Sequence, residues 1–247
     1  MGKKEELIKR IKTIINDADK LERFIIENSN LPGPRGNLEL AYAFAEIYEN
    51  MDILSKWLKI TEDQADVNNP RSFLAFCSAV SLGKIYTKNN DRMIIETLKV
   101  LANDGRWRMR EAVAFGFQII GEYDFSLLKI IFSEWIKKSN NTGKRAILVS
   151  LAHPKFLDKE KAEFCFDILD KVLNDMDINS NFEILKKGLG FTISVFAASN
   201  PELGFSLIKK WIGKNKIIDR IMKENLKKNR LIKKYPEEVN ILLNDLS

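Results

Sequence analysis

The stretch Arg106-Trp-Arg-Met-Arg-Glu-Ala-Val-Ala-Phe-Gly-Phe-Gln-Ile-Ile-Gly121 contains the pattern that decides the fold class of this chain. Its small and apolar residues recur at intervals of three and four, as one buried face of an α-helix requires. These residues are Met109, Ala112, Val113, Gly116 and Ile120. Three arginines and a tryptophan cluster at the start of the stretch. The stretch therefore predicts a core helix with a basic, aromatic N-terminal end.

The same helical periodicity extends over nearly the whole chain. Asp104-Gly105, the only Asp-Gly pair, leads into a helical pattern, and no sustained run alternates β-branched with polar residues. Asn69-Pro70 and Asn200-Pro201 each offer an Asn N-cap followed by Pro at the first helical position. Leu31-Pro-Gly-Pro-Arg-Gly36 predicts a non-helical connection. We expect an all-α protein of about a dozen helices.

Composition indicates a globular chain. Its 247 residues, of which 45% are hydrophobic and 30% charged, can bury a substantial core. The longest apolar runs, such as Phe115–Gly121, are far shorter than the roughly 20 residues that span a bilayer. The N-terminus lacks the apolar segment of a signal peptide, so we expect a soluble, cytoplasmic protein that does not bind membranes. Cys77 and Cys165 lie in apolar helical patterns and predict buried free thiols.

A helix start that is followed by a hydrophobic-small pair recurs along the chain, and each start is polar or basic except Ala75, which is apolar. The starts are Asn37, Ala75, Arg108, Lys144 and Lys186, spaced by 38, 33, 36 and 42 residues. The closing pairs are Phe44-Ala45, Leu82-Gly83, Phe115-Gly116, Leu151-Ala152 and Ile193-Ser194. This spacing is typical of HEAT and armadillo repeats, in which pairs of antiparallel helices stack into a solenoid. We therefore expect one solenoid domain over residues 1–247, with basic capping helices from about residue 205 to residue 247.

Two stretches resemble a known family. Asp104–Gly116 resembles the second helix of a HEAT repeat. Ile184–Ile193, together with Asn200-Pro-Glu202 and Ile221–Leu231, is similar to the C-terminal repeats of the HEAT-like DNA alkylation-repair proteins, and the likeness covers about Pro70–Tyr235. The resemblance implies a right-handed superhelical solenoid whose basic concave face holds duplex DNA. In the enzymatic branch it implies an alkylpurine DNA glycosylase.

The tryptophans depart from the pattern of that enzymatic branch, which would place a Trp-Asp motif at the start of a mid-chain helix. Trp57, Trp135 and Trp211 are not followed directly by an acid. The closest pairing is Asp104 with Trp107, which makes Asp104 a weak catalytic candidate. The alternative is that Asp104 caps a helix and Trp107 packs between repeats.

Other chemical signatures are scarce in the sequence. His153, the single histidine, precedes a proline and predicts a helix-terminal role. The sequence shows no zinc or calcium spacing, phosphate loop or nucleophile elbow, so we expect neither a metal nor a cofactor. Gly188-Leu-Gly190 predicts close helix packing. Glu111 stands one helical turn after Arg108 and is placed to pair with it.

Cations recur once per predicted repeat. Arg108, Lys144 and Lys186 have the basic neighbours Arg110, Arg145 and Lys187. Equivalent positions of a solenoid project along one surface, so these cations predict a ladder that tracks a phosphate backbone. Neighbouring helical residues point about 100° apart, so only one member of each pair faces a given partner. The sequence leaves that choice open, with a weak preference for Lys187, and solvated or ion-paired side chains remain the alternative.

A second basic cluster lies near the C-terminus. Between Phe205 and Tyr235 there are eleven Lys or Arg residues and two acids, whereas the whole chain carries a net charge of only +6. Lys227, Lys228 and Arg230 lie at the centre of the densest part. Such a field attracts nucleic acid or an acidic protein.

Three hypotheses follow from the sequence. The first is a monomeric HEAT-like protein that binds nucleic acid, with duplex DNA as the expected ligand and DNA alkylation repair as the expected process. It would have little or no enzymatic activity. The second is a protein-interaction scaffold without a nucleic-acid role. The third is an active alkylpurine DNA glycosylase.

Overall fold

The computed structural model describes residues 2–178 and 181–246, and all regular secondary structure in these ranges is helical. The predicted all-α class is therefore confirmed. The chain divides into two compact units, unit 1 (Met1–Tyr123) and unit 2 (Asp124–Ser247). Among the described residues, no helix has both the length and the apolar character needed to cross a membrane.

Unit 1 is built on a series of helices that pack successively. Its described residues form α1 (Lys3–Ile14), α2 (Ala18–Glu27), α3 (Leu38–Ile47), α4 (Met51–Leu58), α5 (Ser72–Asn89), α6 (Arg92–Leu101) and α7 (Trp107–Tyr123). Helix α1 packs against α3, α3 against α5, and α5 against α7. We call these four helices the inner series of unit 1. Helices α2, α4 and α6 connect its members.

Unit 2 has a similar succession. Its described residues form α8 (Phe125–Trp135), α9 (Asn141–Leu151), α10 (Lys159–Asn174), α11 (Phe182–Ser199), α12 (Pro201–Trp211), α13 (Lys216–Leu226), α14 (Asn229–Ile232) and α15 (Pro236–Asn244). Short 3-10 turns occupy Ile136–Lys138 and Pro154–Phe156. Helix α9 packs against α11, and α11 packs against α13.

The repeat pattern in the sequence coincides with alternate helices. Its five starts lie at, or within five residues of, the first residues of α3, α5, α7, α9 and α11: Asn37, Ala75, Arg108, Lys144 and Lys186. These helices include most of the inner series of unit 1 and two successive packed helices of unit 2. The alternation of helices thus matches the predicted pairing, whereas the handed solenoid and the single domain stay predictions.

Asn and Asp side chains mark most helix starts, because each accepts a backbone N–H group that the first helical turn leaves unbonded. These caps are Asp17, Asn37, Asn50, Asp91, Asp124, Asn140, Asp158, Asn200 and Asn215. The predicted start at Asn200-Pro201 is confirmed. The start predicted at Asn69-Pro70 is wrong by two residues. Asn69 Oδ1 accepts the N–H group of Arg71 in a turn, and α5 begins at Ser72.

The predicted core face of α7 is buried, as are nearly all residues of α5. The backbones of the two helices come close together at two glycines, Gly83 and Gly116. A Cβ atom on Gly83 would lie 2.2 Å from the carbonyl oxygen of Gly116 and 2.7 Å from its Cα atom. Since those atoms are backbone, no side-chain rotation can make room. Both glycines are the small residues that close the pattern in the sequence, so that pattern marks the helix crossing.

Two buried tryptophans connect helices through their indole N–H groups. Trp57 Nε1 on α4 donates to Glu22 Oε2 on α2 at 3.1 Å, and Trp211 Nε1 on α12 donates to Asp170 Oδ1 on α10 at 2.8 Å. Buried indole groups need such acceptors. The same carboxylate–indole contact thus occurs once in each unit, which indicates a structural role for Asp170.

A buried amide fixes α13 to α11. Asn225, which is fully buried, donates through Nδ2 to the carbonyl oxygen of Leu189 at 2.8 Å and accepts the N–H group of Ser194 through Oδ1 at 2.9 Å. An Asn side chain has one acceptor and one double donor, so this position uses both kinds of group. The register of α13 on α11 depends on this residue.

Gly83→Ala should destabilise the protein although alanine is the better helix former. The added methyl group overlaps the backbone of Gly116, and overpacking of this kind costs about 1–3 kcal/mol. Urea denaturation should show that loss in the free energy of unfolding. Gly2→Ala is the control because its added methyl group would have no atom within 4 Å. Equal stability of the two variants would contradict the close crossing.

Asn225→Ala should also lower the free energy of unfolding, by about 1–3 kcal/mol, because it removes two buried hydrogen bonds between α13 and α11. Asn229→Ala, at an exposed position of α14, serves as the control. Thermal and urea denaturation measure both variants. A loss below about 0.5 kcal/mol for Asn225→Ala would show that water replaces the amide.

Candidate functional site

Arg108, a predicted phosphate ligand, is buried at the start of α7 and bonds two loops. Its side chain is 6% exposed, Nε donates to the carbonyl oxygen of Val67 at 2.9 Å, and Nη2 donates to that of Gly33. Val67 belongs to the connection between α4 and α5, and Gly33 to that between α2 and α3. Burial lowers the pKa of Arg108, because desolvation disfavours its charged form.

The predicted pair of Arg108 and Glu111 is not formed. Within the described residues, the hydrogen bonds of Arg108 go to backbone carbonyl oxygens, and its guanidinium lies 4.3 Å from the ring centroid of Trp107. The carbonyl oxygens of Val67 and Gly33 accept the hydrogen bonds of Arg108 in place of the Glu111 carboxylate. Trp107, expected between repeats, is 44% exposed, since its ring covers Arg108 at the surface instead.

The neighbouring Arg106 and Arg110 form hydrogen bonds with the loop that connects α6 to α7. Arg106 donates to both carboxylate oxygens of Asp104, at 3.0 and 2.7 Å, and to the carbonyl oxygen of Ala65 at 3.2 Å. Arg110 Nη1 donates to the carbonyl oxygens of Asp104 and Gly105. Asp104, the weak catalytic candidate, therefore has both carboxylate oxygens bonded to one buried guanidinium. That geometry is typical of a structural carboxylate.

The basic pair of α9 is buried in a comparable way. Lys144 is 4% exposed and forms an ion pair of 2.8 Å with Asp175, whose backbone oxygen it also contacts. Arg145 is also buried, and its Cγ atom would lie 2.9 Å from a Cβ atom on Gly188. The close packing predicted at Gly188 is thus confirmed, with Arg145 as the neighbour that fills the space.

The basic pair of α11 is closer to solvent. Lys186 forms an ion pair of 3.0 Å with Glu183, one turn earlier on the same helix. Lys187 is exposed, and no ion pair joins it to another described residue. Lys187 is therefore the member of this pair that can reach an external anion.

A row of exposed cations lies along α13 and on its C-cap residue, Lys227. Lys216, Arg220, Lys223 and Lys227 are all exposed and follow one another at intervals of four, three and four residues. This spacing places them on one face of the helix over about 16 Å. Among the residues that the structure describes, none forms an ion pair with any of the four. We call these four residues the α13 stripe.

The acids of the C-terminal segment do not neutralise the α13 stripe. Asp219 Oδ1 accepts the N–H group of Gly213 at 2.8 Å, and Glu224 forms an ion pair of 3.0 Å with Lys228. Of the other predicted ligands in this segment, Lys228 is therefore partly neutralised, while Arg230 on α14 is exposed. The positive field of the stripe remains available to a partner.

Unit 1 also has an aromatic cleft of about 320 Å³. Its walls include Phe76, Trp107 and Phe115, Arg108 contributes to its lining, and Arg35 lies beside it. No sequence pattern predicts this cleft, because Phe76 belongs to α5 and Arg35 to a loop, and only the packing of α3, α5 and α7 brings them to Trp107. The only feature of the sequence that points to this cleft is Trp107 beside Arg108 at the start of α7.

Other reactive side chains have structural roles. Cys77 and Cys165 are buried free thiols, as predicted, and burial raises the pKa of Cys165 to about 12. His153 Nδ1 accepts the N–H group of Lys155 at 3.3 Å, which confirms its helix-terminal role. Across the described ranges, no three His, Cys, Asp or Glu side chains lie close enough together to hold a metal ion.

Arg108→Lys should loosen two loops at once, because one ammonium group cannot replace a guanidinium that bonds two separate carbonyl oxygens. Hydrogen exchange of residues 31–36 and 65–68 should accelerate, and the free energy of unfolding should fall by about 1.5–3 kcal/mol. Arg92→Lys, at an exposed position of α6, should change neither quantity. Unchanged exchange in both loops would contradict this role for Arg108.

Comparison with known proteins adds no assignment: no protein-family model, no curated protein and no solved structure matches this chain.

Proposed function

We propose that this chain is a HEAT-like helical-repeat protein that binds nucleic acid, with duplex DNA as the expected ligand. The α13 stripe is the proposed contact surface. The observation that carries the proposal is the presence of four exposed cations on one helix face without ion pairs to described residues. Cations without internal partners interact with external anions at little structural cost.

The helix arrangement supports the repeat part of the proposal. In unit 1 the inner series packs in chain order, and in unit 2 α9, α11 and α13 do the same. Successive packing of alternate helices is the contact pattern of an α-solenoid. A right-handed superhelix with a concave ligand face is part of the same proposal.

The electrostatics of the α13 stripe suit a phosphate backbone. Duplex DNA carries one negative charge per about 1.7 Å of its axis, so several phosphates fall within the length of the stripe. If each of the four cations neutralises one phosphate, the logarithm of the affinity should fall with the logarithm of salt concentration at a slope of about −3 to −4. Such contacts position the duplex and carry little sequence information.

The cations of α7 and α9 are expected to contribute by supporting the fold. Arg108, Arg110, Lys144 and Arg145 are buried, so the backbone of a duplex would reach them poorly, and Lys144 is already paired with Asp175. Of the proposed ladder, Lys187 is the member whose exposure suits a direct contact. The phosphate surface is therefore proposed on α13 with Lys187 as an added contact.

Base excision by this chain would need an acid beside the target nucleotide. Asp104 has both carboxylate oxygens bonded to Arg106, and Asp170 is bonded to Trp211 and Lys210. Both carboxylates are occupied by internal partners. We therefore propose binding without catalysis, and release of methylated bases from duplex DNA in a single-turnover assay would contradict this part.

The triple variant Arg220→Glu, Lys223→Glu, Lys227→Glu should bind a duplex oligonucleotide at least 100-fold more weakly, because three contacts become repulsive. Fluorescence anisotropy at several salt concentrations measures the affinity and its slope. Circular dichroism should show unchanged helix content, since all three side chains are exposed.

The matched control carries the same charge change elsewhere, with Lys56→Glu, Lys59→Glu and Lys137→Glu at exposed positions. Its affinity should fall far less than that of the α13 variant. Equal weakening in the two triples would show that only net charge matters. Salt-independent binding, or capture of an acidic protein that persists after nuclease treatment, would favour the scaffold hypothesis.

A further inference from the structure

The aromatic cleft of unit 1 has the size and lining of a small-molecule site. Its volume of about 320 Å³ lies at the lower end of the range of roughly 300–1,000 Å³ typical of ligand pockets. Phe76 and Phe115 meet edge to face, with ring centroids 6.1 Å apart and planes at 62°. These rings and Trp107 provide apolar walls around a space for one or two fused rings.

A buried cation without a carboxylate partner lies in the wall of this cleft. Arg108 is 6% exposed, and its two hydrogen bonds go to the neutral carbonyl oxygens of Val67 and Gly33. Its Nη1 group donates to no residue in the described part of the chain. Buried charges in proteins are ordinarily paired, because an isolated charge in a poorly solvated place is unfavourable. An anion in the cleft would supply the missing partner.

The ring of Trp107 is fixed in position and partly exposed, as stacking with a ligand requires. Its ring lies over the guanidinium of Arg108, which is itself fixed by two hydrogen bonds. The side chain is nevertheless 44% exposed, whereas the other three tryptophans are buried. A ring fixed from one side and open to solvent binds a planar partner with little loss of conformational entropy.

Two further charged residues border the space. Arg35, in the loop before α3, is exposed and lines the cleft together with Arg108, so the positive charge of the site extends to its rim. Glu111 lies on the α7 side of the cleft. Arg35 and Arg108 together give the site an anion-binding part.

We propose that this cleft binds a small molecule that combines a planar aromatic ring with an anionic group. The ring packs against Trp107 and Phe115, and the anionic group meets Arg108 and Arg35. Nucleoside monophosphates and small aromatic carboxylates share this chemistry. The proposal uses residues of unit 1 alone and does not depend on the α13 stripe.

Isothermal titration calorimetry with four probes separates the two chemical requirements. Adenosine monophosphate and phenylacetate carry both a ring and an anion, adenosine carries a ring alone, and inorganic phosphate carries an anion alone. We expect one of the first two to bind at least ten-fold more tightly than adenosine and phosphate. Tighter binding of adenosine monophosphate identifies a nucleotide site, and tighter binding of phenylacetate identifies an aromatic-carboxylate site.

Two variants test the location without touching the loop bonds of Arg108. Trp107→Leu and Arg35→Gln should each weaken the tighter probe at least five-fold, while Arg23→Gln, at an exposed position of α2, should not. The α13 triple variant should bind the probe as tightly as the unmodified chain. A negative result for nucleic-acid binding would therefore not affect the test of this cleft.

Three outcomes would overturn the proposed site. The first is that neither adenosine monophosphate nor phenylacetate binds. The second is that adenosine or phosphate binds as tightly as the combined probes, because one of the two requirements would then be absent. The third is that Trp107→Leu and Arg35→Gln leave the affinity unchanged, because binding would then occur elsewhere.

Discussion

Carbonyl groups in the connections between helices impose the constraint on which much of this structure depends. Buried cationic side chains need acceptors, and the carbonyl groups of these connections supply them. Here side chains at the starts of later helices provide the donors. Arg106 bonds Ala65, Arg108 bonds Val67, and Lys144 bonds Asp175. The long loops of unit 1 and the turn after α10 are thereby held by side chains at the starts of α7 and α9.

This constraint divides the basic residues into two classes. Cations at the N-terminal ends of α7 and α9 are buried because loop acceptors surround them. Cations on α13 stay exposed because the opposite face of that helix, which includes Met222 and Asn225, is the one that packs. A recurring cation in the sequence therefore does not mean a recurring ligand contact. An exposed cation without an internal ion pair indicates an external partner better than a cation that merely recurs in the sequence.

The local features of the fold could be predicted well. Helical periodicity identified the buried face of α7, and Asn200-Pro201 marked the start of α12, because both effects involve residues within one or two turns. Gly83 and Gly116 were recognised as closing small residues, and they proved to be the crossing point of two helices. The start of α5 was misplaced because Asn69 forms a turn before the helix. The candidate sites were much less predictable. Sequence spacing placed Glu111 beside Arg108 but could not reveal that Gly33, 75 residues earlier, provides a competing acceptor.

The sequence by itself determined the all-α class, the succession of helices and their buried faces, because these follow from the 3.6-residue period and from capping within the chain. Only the tertiary structure decided which cations are bonded internally, which are exposed on α13, and where the aromatic cleft lies. The physical reason is range: a hydrogen bond requires its two atoms to approach to about 3 Å, and distant segments meet at that distance only after the helices have packed.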